Sequence, residues 1–263
     1  MERFIGIGIK YMHKKAFTLI ELLVVLVILA LLTGILLPSL RQARGQARSM
    51  VCLSKLKQCA TAALTYSTNH DHSFPMAYRY EMDPDGNWMR TIAWDFITTK
   101  DWSVSPVHTD YLPGILWAYG DSMEIQQCPA FRGDSNAGGE PYTGFNYNTS
   151  YIGHGSGESI PEPAKTFQVT STGQTALFGD GQFEGGANKF MRAPWANPGD
   201  AGFSGRYAGT QGFRHNGLTN IAFCDGHVGS QRDCYTDTYP EDKAMIAEGT
   251  GFLSKDNSMY DLK

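Results

Sequence analysis

The sequence predicts an α+β fold: a long N-terminal helix, half transmembrane and half packed on the head, joined to an antiparallel β-sheet head domain with long loops. Three observations predict it. From Phe17 to Leu37 the chain is apolar except for one charge, Glu21, and at ~1.5 Å of rise per residue such a stretch crosses the ~30 Å core of a bilayer. Beyond Pro38 the segment SLRQARGQARSMVCLSKLKQCATAALTYSTNHD is rich in helix formers and spaces Met50, Leu53, Leu56, Ala60, Ala63 and Leu64 near a helical period. Towards the far end, NIAFCDGHVGS places two strand-like runs on either side of Asp225 and Gly226, the strongest short-range hairpin signal. The chain therefore divides into a leader (1–16), an apolar helix (17–37), a helix continuation (38–68) and a head (69–263).

Charge sets the direction of insertion. The whole chain carries a net −4. Its leader is basic, with Arg3, Lys10, Lys14 and Lys15 against Glu2, so the remainder is more acidic still. Basic residues before a span stay in the cytoplasm, which sends the head out. An acidic head lacks the basic footprint of a nucleic-acid binder.

Within the span, a carboxylate is costly and calls for a partner. A cut between Ala16 and Phe17 creates an amino group four residues before Glu21, in the same helix or a neighbouring one. Pro38 removes a backbone hydrogen bond where membrane gives way to water and predicts a kink there. Arg41, Arg44 and Arg48 follow as a solvated or headgroup-facing set. A secretory signal has a shorter apolar core of about 7–15 residues and small residues at its cleavage site; Leu36, Leu37 and Pro38 do not provide one.

The run KKAFTLIELLVVLVILALL, followed by Pro38, resembles the class III signal of type IV pilins and type II secretion pseudopilins. The resemblance implies cleavage by a prepilin peptidase after Ala16, where the family usually has Gly, and N-methylation of Phe17. It also implies that Glu21 registers neighbouring subunits during assembly. CLSKLKQCATAALTYSTNHDHSFP is similar to the segment that follows the signal in pilin-like proteins of planctomycete and lentisphaera type, and Cys128-Pro129 with the aromatic run after it extends the likeness. His215, nine residues, then Asp225 and Gly226 resemble the prepilin-type processing-associated H-x9-DG motif of that family.

Five cysteines, Cys52, Cys59, Cys128, Cys224 and Cys234, are compatible with a disulfide in an exported head, but the odd count leaves at least one unpaired. Cys52 and Cys59 on one helix stand about 10 Å apart, beyond the ~7 Å reach of a disulfide. The spacing offers no CxxC or HExxH metal motif.

Along the head, His70 to Tyr119 reads as loop-rich, with Trp88, Trp94, Trp102 and Trp117 mostly filling a core. Asp83, Asp85 and Asn87 in DPDGNW have the start of a calcium-loop pattern without its later acidic ligand, which favours a turn. His154, Ser156 and Glu158 in GHGSGES lack the GxSxG elbow of a hydrolase. TFQVTSTGQTALFGDGQF reads as two strands joined by a turn, Glu184 to Gly212 as a long irregular insertion, and Glu241 to Glu248 as a short helix. In the hairpin, a two-residue turn at Asp225-Gly226 pairs Cys224 with His227 and Phe223 with Val228, and puts Ile221, Phe223 and Val228 on one face. Asp180, His215 and Asp225, with His227, are the candidate cation ligands, and calcium is the ion carboxylates suit. The alternative is that Asp225 makes the turn and His215 holds a loop.

The function expected is that of a structural subunit, not an enzyme: a prepilin peptidase substrate that assembles with other pilin or pseudopilin subunits at the inner membrane. A membrane-tethered protein that recognises glycans or surfaces through exposed Trp is the alternative.

Overall fold

The computed structural model describes residues 18–86, 88–119, 123–135, 139–155, 162–184, 186–197 and 205–263. Helix α1 runs Leu19–Asn69, continuous through Pro38. The chain falls into two compact units that divide between Arg44 and Gly45.

In the first unit, α1 is built for an apolar solvent. Its best window has a mean hydropathy of 3.0 with none of it buried, and side chains from Leu19 to Leu40 are exposed. The polar atoms it carries are turned back onto the helix: the Thr33 hydroxyl donates to the Leu29 and Ala30 carbonyls (2.8 and 3.0 Å) and that of Ser39 to Leu36 (2.9 Å). Hydroxyls satisfied within their own helix can remain in a bilayer core.

The rest of α1 belongs to the head. Cys52, Leu56, Cys59, Ala60 and Ala63 are fully buried, a three-and-four spacing that lays one stripe against the sheet. That sheet has the order β10-β9-β6-β5-β7, from β5 (Asn146–Asn148), β6 (Ala176–Gly179), β7 (Phe190–Met191), β9 (Thr219–Phe223) and β10 (Val228–Gln231). Its pairs are antiparallel except β5 with β7, which is parallel. Both faces are covered. Ala222 and Cys224 join the helix-side core with Leu56, Trp94, Tyr147 and Phe178, while Ala176, Met191, Ile221, Leu253 and Tyr260 form a second core on the other face. A short pair, β8 (Gln211–Gly212) with β11 (Thr250–Gly251), closes the C-terminal end.

The segment His70 to Tyr119 is not loop-rich, as its sequence suggested. It forms a four-stranded antiparallel meander, β1 (Tyr78–Met82), β2 (Trp88–Ala93), β3 (Phe96–Asp101) and β4 (His108–Pro113). Its strands are short and only partly buried, so the period-two alternation is faint. The legible signal is Asp85-Gly86 between β1 and β2: Gly86 adopts φ +83° and donates to the Asp83 carbonyl at 3.0 Å. DPDG is therefore the turn of a hairpin. Gly114, after β4, lies where a Cβ would come within 2.3 Å of the Asp95 backbone, so no larger residue fits that crossing.

Other local expectations are corrected. The first half of TFQVTSTGQTALFG is a 3-10 turn, Thr166–Gln168, and only its second half is a strand. Helix α2 is a single turn, Pro240–Lys243, rather than Glu241 to Glu248. The insertion from Glu184 to Gly212 contributes β7, β8 and a 3-10 turn, Arg206–Gly209. Trp94 and Trp117 are core residues, whereas Trp102 is half exposed; the Trp88 side chain lies outside the described residues.

One buried charge group ties the meander to the main sheet. Lys189, beside β7, donates from Nζ to Asp95 Oδ1 at 3.2 Å and to Glu140 Oε1, all three residues being buried. Burial alone would lower the Lys189 pKa, but the two carboxylates outweigh it and raise it. Because the folded-state pKa is raised, this contribution to stability is complete below lysine's ordinary range and is lost only as pH climbs through strongly alkaline values. Lys189→Met should therefore cost about 3–5 kcal/mol in urea unfolding near neutral pH, since it leaves two buried carboxylates without their shared cation.

Candidate functional site

At the N-terminus of α1, the sequence Thr18-x-x-Glu21 is a capping box. Glu21 Oε2 accepts from the Thr18 backbone N–H and hydroxyl, both at 2.8 Å, and Thr18 Oγ1 accepts from the Glu21 N–H at 3.2 Å. The carboxylate is thus turned back to the start of the helix, beside the residue that follows Phe17. Ala16 and Phe17 themselves lie outside the described residues, as do Ser156 and Glu158.

The second site is inside the head. Asp180, one residue past β6, is fully buried. Its Oδ1 accepts from Arg214 Nη2 at 3.0 Å and from the Cys52 thiol at 3.1 Å, and its Oδ2 accepts from the Asn220 backbone N–H at 2.8 Å and lies 3.2 Å from His215 Nε2. Cys128 Sγ lies 3.6 Å from the same His215 nitrogen and 3.3 Å from Arg214 Nε. Four segments therefore meet at one point: α1 through Cys52, the loop after the 3-10 turn Met123–Gln126 through Cys128, the end of β6, and the entry to β9.

The local sequence explains how Arg214 and His215 arrive there. Asn216 and Gly217 both take positive φ (+56° and +77°), and His215 and Leu218 exchange backbone hydrogen bonds of 3.0 and 3.1 Å across them. This is the Asn-Gly turn of a two-residue hairpin, and it fixes His215 at the mouth of β9. Arg214 is held further by Nη1, which donates to the Gly181 carbonyl and Gln182 Oε1, and by Nη2, which also donates to the Gly144 carbonyl.

Charge is balanced by these contacts. Burial would raise the Asp180 pKa, but the Arg214 and His215 cations outweigh it and hold the carboxyl below its usual range. Burial likewise opposes the shifts at Cys128 and His215, yet hydrogen bonds with Cys52 and His215 and the Arg214 charge drive the Cys128 thiol down, and hydrogen bonds with Asp180 and Cys128 drive the imidazole up. Cys52, where burial dominates, is pushed up.

A Cys-His-Asp relay needs the carboxylate on the ring nitrogen opposite the thiol. Here both Cys128 and Asp180 approach Nε2, and Nδ1 is buried with no hydrogen-bond partner among the described residues. The geometry converges on a point rather than passing a proton along a line.

The sequence-predicted set is thus divided. Asp180 and His215 come together, but Asp225 does not join them: the length of β9 separates it from His215. Asp225 is exposed and makes the turn, accepting from the His227 N–H at 2.9 Å and pairing with His227 Nδ1 at 2.6 Å. The turn has three residues, not two. Gly226, at φ +84°, donates to the Phe223 carbonyl at 2.9 Å, and Phe223 donates to His227 at 3.0 Å, the geometry of a turn followed by a glycine bulge. Consequently Val228 pairs with Ala222 and packs on the helix-side core, not with Ile221 and Phe223. Gly226 also fastens the turn to α1, its carbonyl accepting from Lys57 Nζ at 2.6 Å.

Cys52, Cys128 and Arg214 are the members that sequence reasoning missed. All five cysteines are free thiols, and Cys234 alone is exposed.

Asp180 and Asp225 should differ sharply in what substitution costs. Asp180→Asn is expected to destabilise the head by about 3–5 kcal/mol, because it strips a buried cation of its carboxylate. Asp225→Ala should cost about 1 kcal/mol or less, the scale of an exposed turn contact. Urea denaturation of both variants checks the contrast.

Residues 11–37 match the family described as the prokaryotic N-terminal methylation motif. No curated protein and no solved structure matches the chain. The methylation motif and the exposed apolar helix that carries it point to a type IV pilin-like substrate of a prepilin peptidase, anchored in a membrane and structural rather than enzymatic.

Proposed function

We propose that this chain is a pilin-like structural subunit of a type II secretion pseudopilus or a type IV pilus-like filament. A prepilin peptidase cuts after Ala16 and methylates Phe17. The apolar part of α1 sits in the inner membrane with the leader in the cytoplasm, and the head is exported. Subunits then gather through their apolar helices, which associate by packing and by matching polar groups.

The observation that carries this reading is the methylation motif placed on a helix whose whole apolar surface is unburied and whose lone carboxylate is turned back onto Thr18 at the first turn. Glu21 accepts from Thr18 at the first turn, one residue from the amine that cleavage creates. In lipid, that amine and the Glu21 carboxylate of an adjacent subunit neutralise one another and set the stagger between helices. The H-x9-DG motif, read as the mark of planctomycete- and lentisphaera-type pilin-like proteins, then belongs to the stability of the head: His215 at the buried cluster, Asp225 and Gly226 at the turn.

A tethered glycan-binding role requires an aromatic platform. Trp94 and Trp117 are in the core, donating from their indole nitrogens to the Lys189 carbonyl (3.2 Å) and Gln126 Oε1 (3.0 Å), and the half-exposed Trp102 stacks under Lys100.

Mass spectrometry of membrane fractions from cells with and without the prepilin peptidase tests the processing. The expected mature N-terminus is N-methylated Phe17, absent without the peptidase; an intact leader in both strains overturns the reading. Glu21→Gln should leave cleavage and membrane insertion intact and reduce recovery of the chain in sheared filaments or cross-linked oligomers by about tenfold, the scale of one lost charge pair in a dry setting.

A further inference from the structure

We propose that Cys52, Cys128, Asp180 and His215 form a structural zinc centre that pins the second half of α1 to the head. The ligand atoms would be the two Sγ atoms, His215 Nε2 and one Asp180 carboxylate oxygen. All of them lie within 4.8 Å of one another, and the four residues are buried. A tetrahedral zinc ion with bonds of about 2.0–2.3 Å sets its ligand atoms about 3.3–3.8 Å apart. With Asp180 Oδ2 as the carboxylate ligand, two edges of the cluster already stand near that spacing, 3.2 Å from Oδ2 to His215 and 3.6 Å from His215 to Cys128, while Cys52 lies 3.1 Å from the other oxygen, Oδ1.

The chemistry of the donors selects the ion. Two thiolates and an imidazole favour zinc, whereas calcium takes six to eight oxygens, more than this cluster contains. Calcium, the ion expected from carboxylates alone, is therefore displaced as the candidate. With four buried protein ligands filling the tetrahedron, the centre is closed and structural.

The surroundings suit a metal. Arg214 donates to Cys128 Sγ and to Asp180 Oδ1, and the Asn220 N–H donates to Asp180 Oδ2; such outer hydrogen bonds orient ligands and temper their charge. Two thiolates and one carboxylate carry three negative charges. A divalent ion and Arg214 supply three positive ones, so the buried group is neutral as a whole. The four ligands come from segments far apart in the chain, so binding closes the fold around the ion.

The competing fate of Cys52 and Cys128 in an exporting compartment is a disulfide, which uses the same sulfurs and excludes the metal. Elemental analysis separates the two. Full-length protein purified in detergent from zinc-supplemented cells should carry about one zinc per chain. Cys52→Ser and Cys128→Ser should each lose most of it, whereas Cys59→Ser, Cys234→Ser and Asp225→Asn should keep it. Because the first two variants threaten folding, the wild-type chain is also loaded with Co2+, where thiolate-to-cobalt bands in the near ultraviolet and intense tetrahedral bands in the visible are expected. A metal-free protein with a Cys52–Cys128 disulfide peptide overturns the proposal. So do a metal-free protein with all thiols reduced, zinc that survives both serine substitutions, and a cobalt spectrum without thiolate bands.

Discussion

A single buried carboxylate holds the head together. Asp180 is fully enclosed and touches residues from α1, the entry to β9 and β9 itself. A lone buried carboxylate is far too costly to keep ionised, so its place in the fold depends on the cations and donors brought to it. The bends that deliver Arg214 and His215, the register of β9 and the face that α1 presents are all conditions for solvating that one group. The Lys189 group plays the same part between the meander and β7, with the signs reversed: one buried cation shared by two carboxylates.

Helix α1 answers to two solvents in turn. Its first part exposes Leu, Ile and Val all round and keeps its few hydroxyls on its own backbone. Further on, the composition becomes amphipathic, and the small residues Ala60 and Ala63 with Cys52 and Cys59 let the helix lie close to the sheet. The lone charge of the apolar part stands at the very first turn, where the helix N-terminus supplies unsatisfied N–H groups and a favourable dipole for a carboxylate. That position lowers the cost of carrying a carboxylate at the edge of the apolar run.

The helix and the β9–β10 hairpin were legible in the sequence because their signals are local: an apolar run, a helical period, an Asp-Gly turn. The meander was not, because its strands are short and half exposed, so that YRYEM and FITTKD show little alternation. Asp85-Gly86 and Asn216-Gly217 were nonetheless present as turn signals, and both mark real turns. The hairpin register differs by one from the expected one because Asp-Gly serves both a two-residue turn and a three-residue turn with a glycine bulge, and the chain takes the second. The cluster was half visible. Asp180 and His215 are polar enough to attract notice, but Cys52 and Cys128 read as core thiols, and nothing local in the chain reveals that they point at the same carboxylate.

The nine-residue interval between His215 and Asp225 in this chain has a mechanical reading. Those residues comprise the Asn-Gly turn, Leu218, the five residues of β9 and Cys224, the first residue of the bulged turn. At one end, β9 is fastened beside α1 by Asn220, which exchanges hydrogen bonds with Ser49, and by Asp180 with Cys52; at the other, the Gly226 carbonyl is fastened to Lys57. The strand is thus a strut laid along two turns of the helix, and its length must match the separation of its two anchors. One residue more or fewer would also turn each side chain of β9 to the opposite face. Ala222 would then leave the helix-side core and Ile221 would leave the core on the other face. The motif is therefore a constraint of register: the histidine fixes one end at a buried charge, the glycine frees the other end to turn, and the interval between them is the length of strand that the helix can hold.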